Sequence, residues 1–250
     1  MSAGKTLLVT GGGRGIGAET AVLAAQDGWR VAVNFTSNES AAQSVVDRIV
    51  AAGGDAFVVK ADVGVEADVM AMFAAIDERW GRLDGLVNNA GVVDRKARLD
   101  EMSGDRMDRM FRINVVGSLL CAREAVKRMS TKHGGRGGAI VNVSSVAAVL
   151  GSPGEYVDYA AAKGAIDTFT VGLAREVAEE KIRVNVVRPG TIATEIHASG
   201  GQPDRAQRVA SAIPMKRPGE PREIAEAIIW LLSDKASYTT GAILDVSGGR

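Results

Sequence analysis

The chain has 250 residues, room for one large α/β domain, and its 46% hydrophobic content allows a sizeable core. Lys+Arg 30 balance Asp+Glu 30, and a formal net charge of zero argues against a protein that grips nucleic acid by its phosphates. A single cysteine excludes an internal disulfide framework, no segment reaches the ~18 apolar residues of a membrane span, and no basic-then-apolar stretch precedes the first strand, so the cytoplasm is the expected compartment.

Strand-like runs alternate with helix-length amphipathic runs from start to finish. Thr6 to Thr10 reads as a first strand, followed by a helix from Ile16 to Gln26 that closes at Gly28. Val31 to Phe35 is the second strand, and its helix carries Ala41, Val45, Ile49 and Ala52 on one face before stopping at Gly53-Gly54. Ala56 to Val59 is the third. The helix after it shows Val69, Met72, Phe73, Ile76 and Trp80 at spacings of three and four, then Gly81. A glycine just past the last periodic residue is a usual helix stop, because it takes the left-handed conformation without a Cβ clash. Four more strands are expected at residues 85–88, 139–143, 184–187 and 243–246, separated by helices of roughly 103–133, 157–180 and 222–233. The pattern predicts a single α/β domain over residues 1–250, doubly wound, with an about seven-stranded parallel sheet and helices on both faces. No linker, repeat or low-complexity tract divides it.

In the common strand order 3-2-1-4-5-6 a ligand crevice opens between strands 1 and 4, at their carboxyl ends. The loops leaving those two strands are Gly11-Gly12-Gly13-Arg14-Gly15-Ile16-Gly17 and Asn88-Asn89-Ala90-Gly91. The first suits a dinucleotide: glycine lets the backbone approach a pyrophosphate, and the helix N-terminus offers N–H groups to the anion. Its Gly11-x-x-x-Gly15-x-Gly17 spacing differs from the Gly-x-Gly-x-x-Gly fingerprint. Farther on, Tyr159 and Lys163 stand four residues apart on a helix, about 40° round its face, so an ammonium can favour a phenolate and lower a phenol that ordinarily titrates near ~10.

Taken together and in order, Thr10-Gly11-x-x-x-Gly15-Ile16-Gly17, Asn88-Asn89-Ala90-Gly91, Asn114, Ser145, Tyr159-x-x-x-Lys163 and Pro189-Gly190 make the whole chain resemble the short-chain dehydrogenase/reductase family, with its Rossmann fold. Within it the chain is similar to the bacterial branch of glucose 1-dehydrogenases and 3-oxoacyl-carrier-protein reductases. The resemblance implies that Tyr159 is the general acid/base, Lys163 its electrostatic partner, Ser145 the group that holds the substrate oxygen, and Asn114 part of a water-mediated proton relay. It also implies cofactor contacts from Gly11, Gly13, Arg14, Gly15, Ile16 and Gly17, from Asp62 and Val63 at the adenine, and from Asn89, Ala90 and Gly91. Pro189, Gly190, Ile192 and Thr194 would cradle the nicotinamide amide.

Ser144 competes with Ser145, since neighbours in a strand face opposite ways. Ser145 is preferred because the family places this serine about thirteen residues before the tyrosine; the gap here is fourteen, which hints at a one-residue insertion near residues 151–154. Tyr156 is a decoy, with Ala160 rather than a lysine four residues on. NAD users place an acid at the end of the second strand. That position is Phe35, followed by Thr36, Ser37 and Asn38, and Arg14 could pair with a 2′-phosphate, so NADP is favoured and NAD stays open.

Cys121, Met102, Met107 and Met110 read as core, and no clustered Cys/His/Asp spacing suggests a metal site; His133 and His197 are far apart. The polar stretch at about 194–215 reads as a substrate lid. The resemblance also implies a dimer formed through the long helices and, with a second interface at Thr240-Gly241 to Gly249, a homotetramer. The expected activity is interconversion of a carbonyl and a secondary alcohol, on a sugar or a 3-oxoacyl thioester. The alternative is a catalytically silent dinucleotide-binding regulatory or scaffold protein.

Overall fold

The computed structural model describes residues 4–250, the side chain of His197 apart. In chain order the strands are β1 (Thr6–Val9), β2 (Arg30–Phe35), β3 (Ala56–Lys60), β4 (Gly85–Asn88), β5 (Gly138–Val143), β6 (Ile182–Pro189) and β7 (Ile243–Val246). They form one parallel sheet in the order β3-β2-β1-β4-β5-β6-β7, so the expected order holds and β7 extends it past β6. The ten α-helical segments among the described residues are α1 (Gly15–Gln26), α2 (Glu39–Ala51), α3 (Glu66–Trp80), α4 (Gly104–Phe111), α5 (Gly117–Met129), α6 (Ala147–Leu150), α7 (Val157–Val177), α8 (Ile196–Ser199), α9 (Arg205–Arg208) and α10 (Pro221–Leu232).

Two-residue alternation along each strand divides the core into two layers. Leu7, Val9, Val31, Val33 and Phe35 face one way, against Ala21, Leu23, Val45 and Ile49 of α1 and α2 and Ile224 and Ile228 of α10. Leu8, Ala32, Leu86, Ile140 and Val184 face the other, against Met72, Phe73 and Ile76 of α3, Cys121 and Ala125 of α5, and Ala174 and Val177 of α7. Each fully buried leucine or isoleucine contributes about 2 kcal/mol. Gly28, Gly53 and Gly81 end their helices at φ +84°, +86° and +66°, the left-handed role expected of them.

The predicted continuous helix over 103–133 differs in the structure. Helical φ/ψ persists from α4 into α5, but Arg112–Val116 between them forms a π-helical turn with Asn114 in it. A wider turn of this kind takes in one extra residue, and such turns are frequent at functional sites. Cys121 is buried as expected, and burial pushes its thiol up to about 12, with Glu124 acting the same way, so it is not a nucleophile. Residues 151–154, where the fourteen-residue gap hints at an insertion, include Gly151, Ser152 and Gly154 at positive φ.

Candidate active site

The carboxyl ends of β1 and β4 are laced together. The Thr10 hydroxyl donates to the Val87 carbonyl at 3.2 Å and accepts from the backbone N–H groups of Asn89 and Ala90, both at 3.0 Å. The Asn89 amide donates to the carbonyls of Thr10 and Gly11 at 2.9 and 3.0 Å. Against this knot lies the start of α1. A Cβ on Gly17 would stand 2.5 Å from both Asn89 Nδ2 and the Gly11 carbonyl oxygen, so only glycine fits. Asn34, buried in β2, accepts the Gly11 N–H at 3.1 Å and donates to the carbonyls of Val59 and Ala61 at 3.2 and 3.1 Å. A lone asparagine among apolar strand residues was the signal for it in the sequence.

The first turn of α1 contains no acidic side chain. Its N-terminus therefore presents N–H groups and a positive dipole end with nothing nearby in the turn to oppose an anion. Beside the glycine loop a cavity of ≈ 520 Å³ is lined by Gly13, Arg14, Gly15, Asn38 and Arg48, with the carboxylates of Glu19 and Glu195 also on its wall. Arg14 faces Glu195 at 3.8 Å and Arg48 faces Glu19 at 3.1 Å. The N–H groups of the glycine loop, with two arginines that can exchange these carboxylates for a phosphate, fit the phosphates of a dinucleotide.

Phe35 departs from expectation. It follows Val31 and Val33 on one face of β2, and its side chain packs in the core, leaving Thr36 as the first exposed residue past the strand. The Thr36 hydroxyl donates to the Ala61 carbonyl at 3.3 Å. Asp62 accepts from the Gly64 N–H at 2.8 Å, while Val63 packs on Gly117, where a Cβ would lie 2.8 Å from its side chain. Ile16 and Ala90 are partly buried against the two core layers. Pro189 ends β6, a Cβ on Gly190 would meet the Ser247 backbone at 2.8 Å, and Ile192 is buried beside Gly219. Thr194 reaches over Gly15, its Cγ2 3.3 Å from where a Cβ would be. The glycine loop and the loop after β6 thus close on each other.

The four residues expected to carry the chemistry come from three separate segments, the π turn, the end of β5 and α7, and converge. Lys163, buried on α7, donates to the Val143 carbonyl at 2.8 Å, and its ammonium lies 5.5 Å from the Tyr159 ring centroid. A Cβ on Gly91 would be 2.7 Å from Asn114 Oδ1 and 3.6 Å from Lys163 Nζ, so this glycine lets both groups meet the loop. The two serines separate cleanly. Ser144 is buried and donates to the Lys163 carbonyl at 3.1 Å, whereas Ser145 is hydrogen-bonded to the Tyr159 side chain.

Burial pushes the Tyr159 phenol up to about 12, against the pull of the Ser145 hydrogen bond. That is opposite to the lowering anticipated from Lys163, whose ammonium sits over the ring face and spends a hydrogen bond on Val143. Burial pushes Lys163 itself down to about 8, opposed by the charge of Asp167.

Asn114 is fully buried, and its side chain is spent on structure. Its oxygen accepts the Val92 N–H at 3.0 Å, and its amide donates to the carbonyls of Val92 and Met110, each at 3.0 Å. Two arginines on the preceding helix continue the same row. Arg109 reaches Asp94 at 3.3 Å, and Arg106 donates to the Arg95 carbonyl at 2.6 Å. The loop after β4 is thereby fastened along one helix, running antiparallel to it. Arg106 also binds Asp158, the residue before Tyr159, through Nε at 2.8 Å and Nη2 at 3.2 Å.

A family model described as Enoyl-(Acyl carrier protein) reductase matches residues 11–250. The chain belongs to the short-chain dehydrogenase/reductase family. It is 59% identical over 243 residues to the uncharacterized oxidoreductase YgfF of Escherichia coli (strain K12), covering 97% of this chain and 98% of that one. It is 39% identical to glucose 1-dehydrogenase 2 of Bacillus subtilis (strain 168), over 98% of this chain and 94% of the relative. Against 3-oxoacyl-[acyl-carrier-protein] reductase FabG of Staphylococcus aureus (strain Mu50) the identity is 36%, over 100% and 99% of the two chains. The crystal structure of a dehydrogenase/reductase from Sinorhizobium meliloti 1021 superposes with a TM-score of 0.91 at 33% identity, covering 99% of this chain and 95% of that one. This short-chain dehydrogenase/reductase is an oxidoreductase enzyme whose family likeness runs through the whole sheet and both loops at the β1–β4 crevice.

Proposed function

We propose that the protein is an NADP(H)-dependent oxidoreductase that interconverts a carbonyl and a secondary alcohol, with Tyr159 as general acid/base. The observation that carries this reading is the convergence of Tyr159, Lys163, Ser145 and Asn114, with Gly91 of the loop after β4 against Asn114 and Lys163. A bound nicotinamide dinucleotide would supply or accept the hydride, and its oxidised ring the positive charge that favours a phenolate.

In the reducing direction Tyr159 gives its proton to the substrate oxygen, a task for which a phenol held up to about 12 is already protonated. Ser145 donates to the same oxygen and fixes its distance. In the oxidising direction Tyr159 accepts the alcohol proton, and Lys163 stabilises the phenolate that must form first. Asn114 holds the loop after β4 in place with its side chain.

Arg14, together with the absence of an acid from Thr36 to Asn38, supports NADP over NAD. The names of the relatives support a sugar or a 3-oxoacyl thioester as substrate. The segment at about 194–215 acts as the lid: Gly200 packs on Asp94 and Val93, Gln202 donates to the Tyr156 hydroxyl, and Arg205 pairs with Glu155 at 2.7 Å. A homotetramer accounts for two apolar exposures, Phe111, Val116 and Leu119 on the long helices and Trp230, Tyr238 and Ile243 near the edge strand β7. No helix among the described residues is long and apolar enough to cross a membrane.

The test follows reduced-nicotinamide absorbance with sugars and 3-oxoacyl thioesters, NADP(H) and NAD(H) in parallel. Tyr159→Phe should lower kcat by about 10²- to 10⁴-fold while NADPH binding by fluorescence stays intact. Full turnover in Tyr159→Phe would refute the mechanism. A wild-type protein that binds NADPH and turns over none of the panel would favour the catalytically silent reading.

A further inference from the structure

Tyr159, Lys163 and Asp167 succeed one another at four-residue spacing on α7, so phenol, ammonium and carboxylate share one strip of the helix. Asp167 is only 5% exposed. Arg188, on β6, donates Nε at 2.9 Å and Nη2 at 2.8 Å to the same carboxylate oxygen, Oδ2. The other oxygen, Oδ1, is buried and has no hydrogen-bond partner. Arg188 also faces a second acid, Asp245 of β7, at 3.6 Å. One guanidinium between two carboxylates leaves the trio with a net negative charge.

An ordinary structural ion pair would fasten α7 to β6 with both carboxylate oxygens engaged, because an orphaned buried oxygen is costly. Here one carboxylate oxygen is left without a hydrogen bond, Arg188 is shared with Asp245, and one helical turn away lies an ammonium that burial pushes toward neutrality. The charged or titratable groups around Lys163 are few. On α7 these are Tyr159 and Asp167; Arg188 and Asp245 stand behind Asp167 on β6 and β7. The Arg106–Asp158 pair at the start of the helix is neutral as a pair, and β5 and the π turn offer the Val143 carbonyl and Asn114.

We propose that Asp167 is a positioning residue for this site: its carboxylate is the counter-charge that holds the buried Lys163 as an ammonium beside Tyr159. The proposal rests on the reading of Tyr159 and Lys163 given above. Without such a charge the lysine would shed its proton near neutrality, and the phenolate would lose its electrostatic support.

Full-length protein carrying [ε-¹³C]lysine provides a test that needs no turnover. The Lys163 resonance is the one missing from Lys163→Met, and its midpoint is followed with pH in wild type, Asp167→Asn and Asp167→Glu. Asp167→Asn should lower the midpoint by about one pH unit, and Asp167→Glu should return it most of the way. In kinetics the loss of kcat in Asp167→Asn should grow with pH, from almost none at pH 6 through about twofold at pH 7 to about tenfold at pH 9 and above, one pH unit being a factor of ten. A midpoint unmoved in Asp167→Asn, or a loss of kcat equal at every pH, overturns the proposal. Asp167→Ser serves in the same measurement should the asparagine variant fold poorly. If Lys163→Met keeps full activity, the mechanism fails on its own, and the lysine midpoint still decides the role of Asp167.

Discussion

Arg106 grips Asp158 with two hydrogen bonds, at 2.8 and 3.2 Å, one residue before Tyr159, and both side chains are nearly withdrawn from water at 11% and 2% exposure. Asp158 in turn accepts the Tyr159 backbone N–H at 2.9 Å. The pair therefore fixes where α7 begins relative to the loop after β4, whose Arg95 carbonyl the same guanidinium holds.

Breaking that pair from one side leaves a buried, uncompensated charge. Arg106→Met should lose about 3–5 kcal/mol of stability in urea unfolding, and Arg106→Met combined with Asp158→Leu should recover a good part of it. Equal losses in the single and double variants would show that the pair's charges are not coupled.

Gly17→Ala tests the close approach of α1 to the β4 loop. A methyl group 2.5 Å from Asn89 Nδ2 and the Gly11 carbonyl cannot be accommodated without moving backbone. The expected outcome is a loss of about 1–3 kcal/mol in thermal unfolding and at least tenfold weaker NADPH binding by fluorescence titration. Unchanged binding would mean that the glycine loop is not where the dinucleotide sits.

Arg14→Ala probes cofactor preference. If Arg14 exchanges Glu195 for a 2′-phosphate, the KM for NADP should rise about tenfold or more while that for NAD moves less than twofold, as expected for loss of one charge-assisted contact. Equal changes in both constants would remove the assignment to NADP.

Lys163→Met separates stability from activity. A lysine pushed from 10.5 down to about 8 by burial costs the folded wild type about 3 kcal/mol wherever both folded and unfolded states are protonated, that is, below about pH 8. Between about 8 and 10.5 the unfolded chain binds more protons than the folded one, so wild-type stability rises with pH across that window. Denaturation at pH 7 and pH 10 should show Lys163→Met more stable than wild type at pH 7, with the gap narrowing at pH 10. Turnover should be lost at both. A gap that stays constant with pH would show that the ammonium is not strained by burial.

The sheet, the glycine loop and the Tyr159–Lys163 pair were legible because each is local: a period of two, a period of 3.6, or a motif a few residues long. Phe35 was equally legible in principle, since it continues the alternation of Val31 and Val33 into the core and leaves Thr36 as the first exposed residue past the strand. The π turn at Arg112–Val116 was not, for its cause is tertiary. Asn114 is drawn to the Val92 backbone, 22 residues earlier, and Gly117 sits against Val63. The same is true of Arg106 and Asp158, 52 positions apart, and of the different partners chosen by Ser144 and Ser145. Sequence spacing names candidates for a site, but it does not say which hydrogen bond each polar group will spend where.

The row formed by Asn114, Arg109 and Arg106 takes hold of the loop after β4 at the Val92 backbone, the Asp94 carboxylate and the Arg95 carbonyl. None of these attachments uses the side chains of Val93, Arg95 or Lys96. Arg95 and Lys96 are exposed, so their side chains can change without loss of these attachments, whereas Val93 packs against Gly200. The fold thus gives evolution a small set of interchangeable positions on the loop after β4, which can vary while the start of α7 stays where it is.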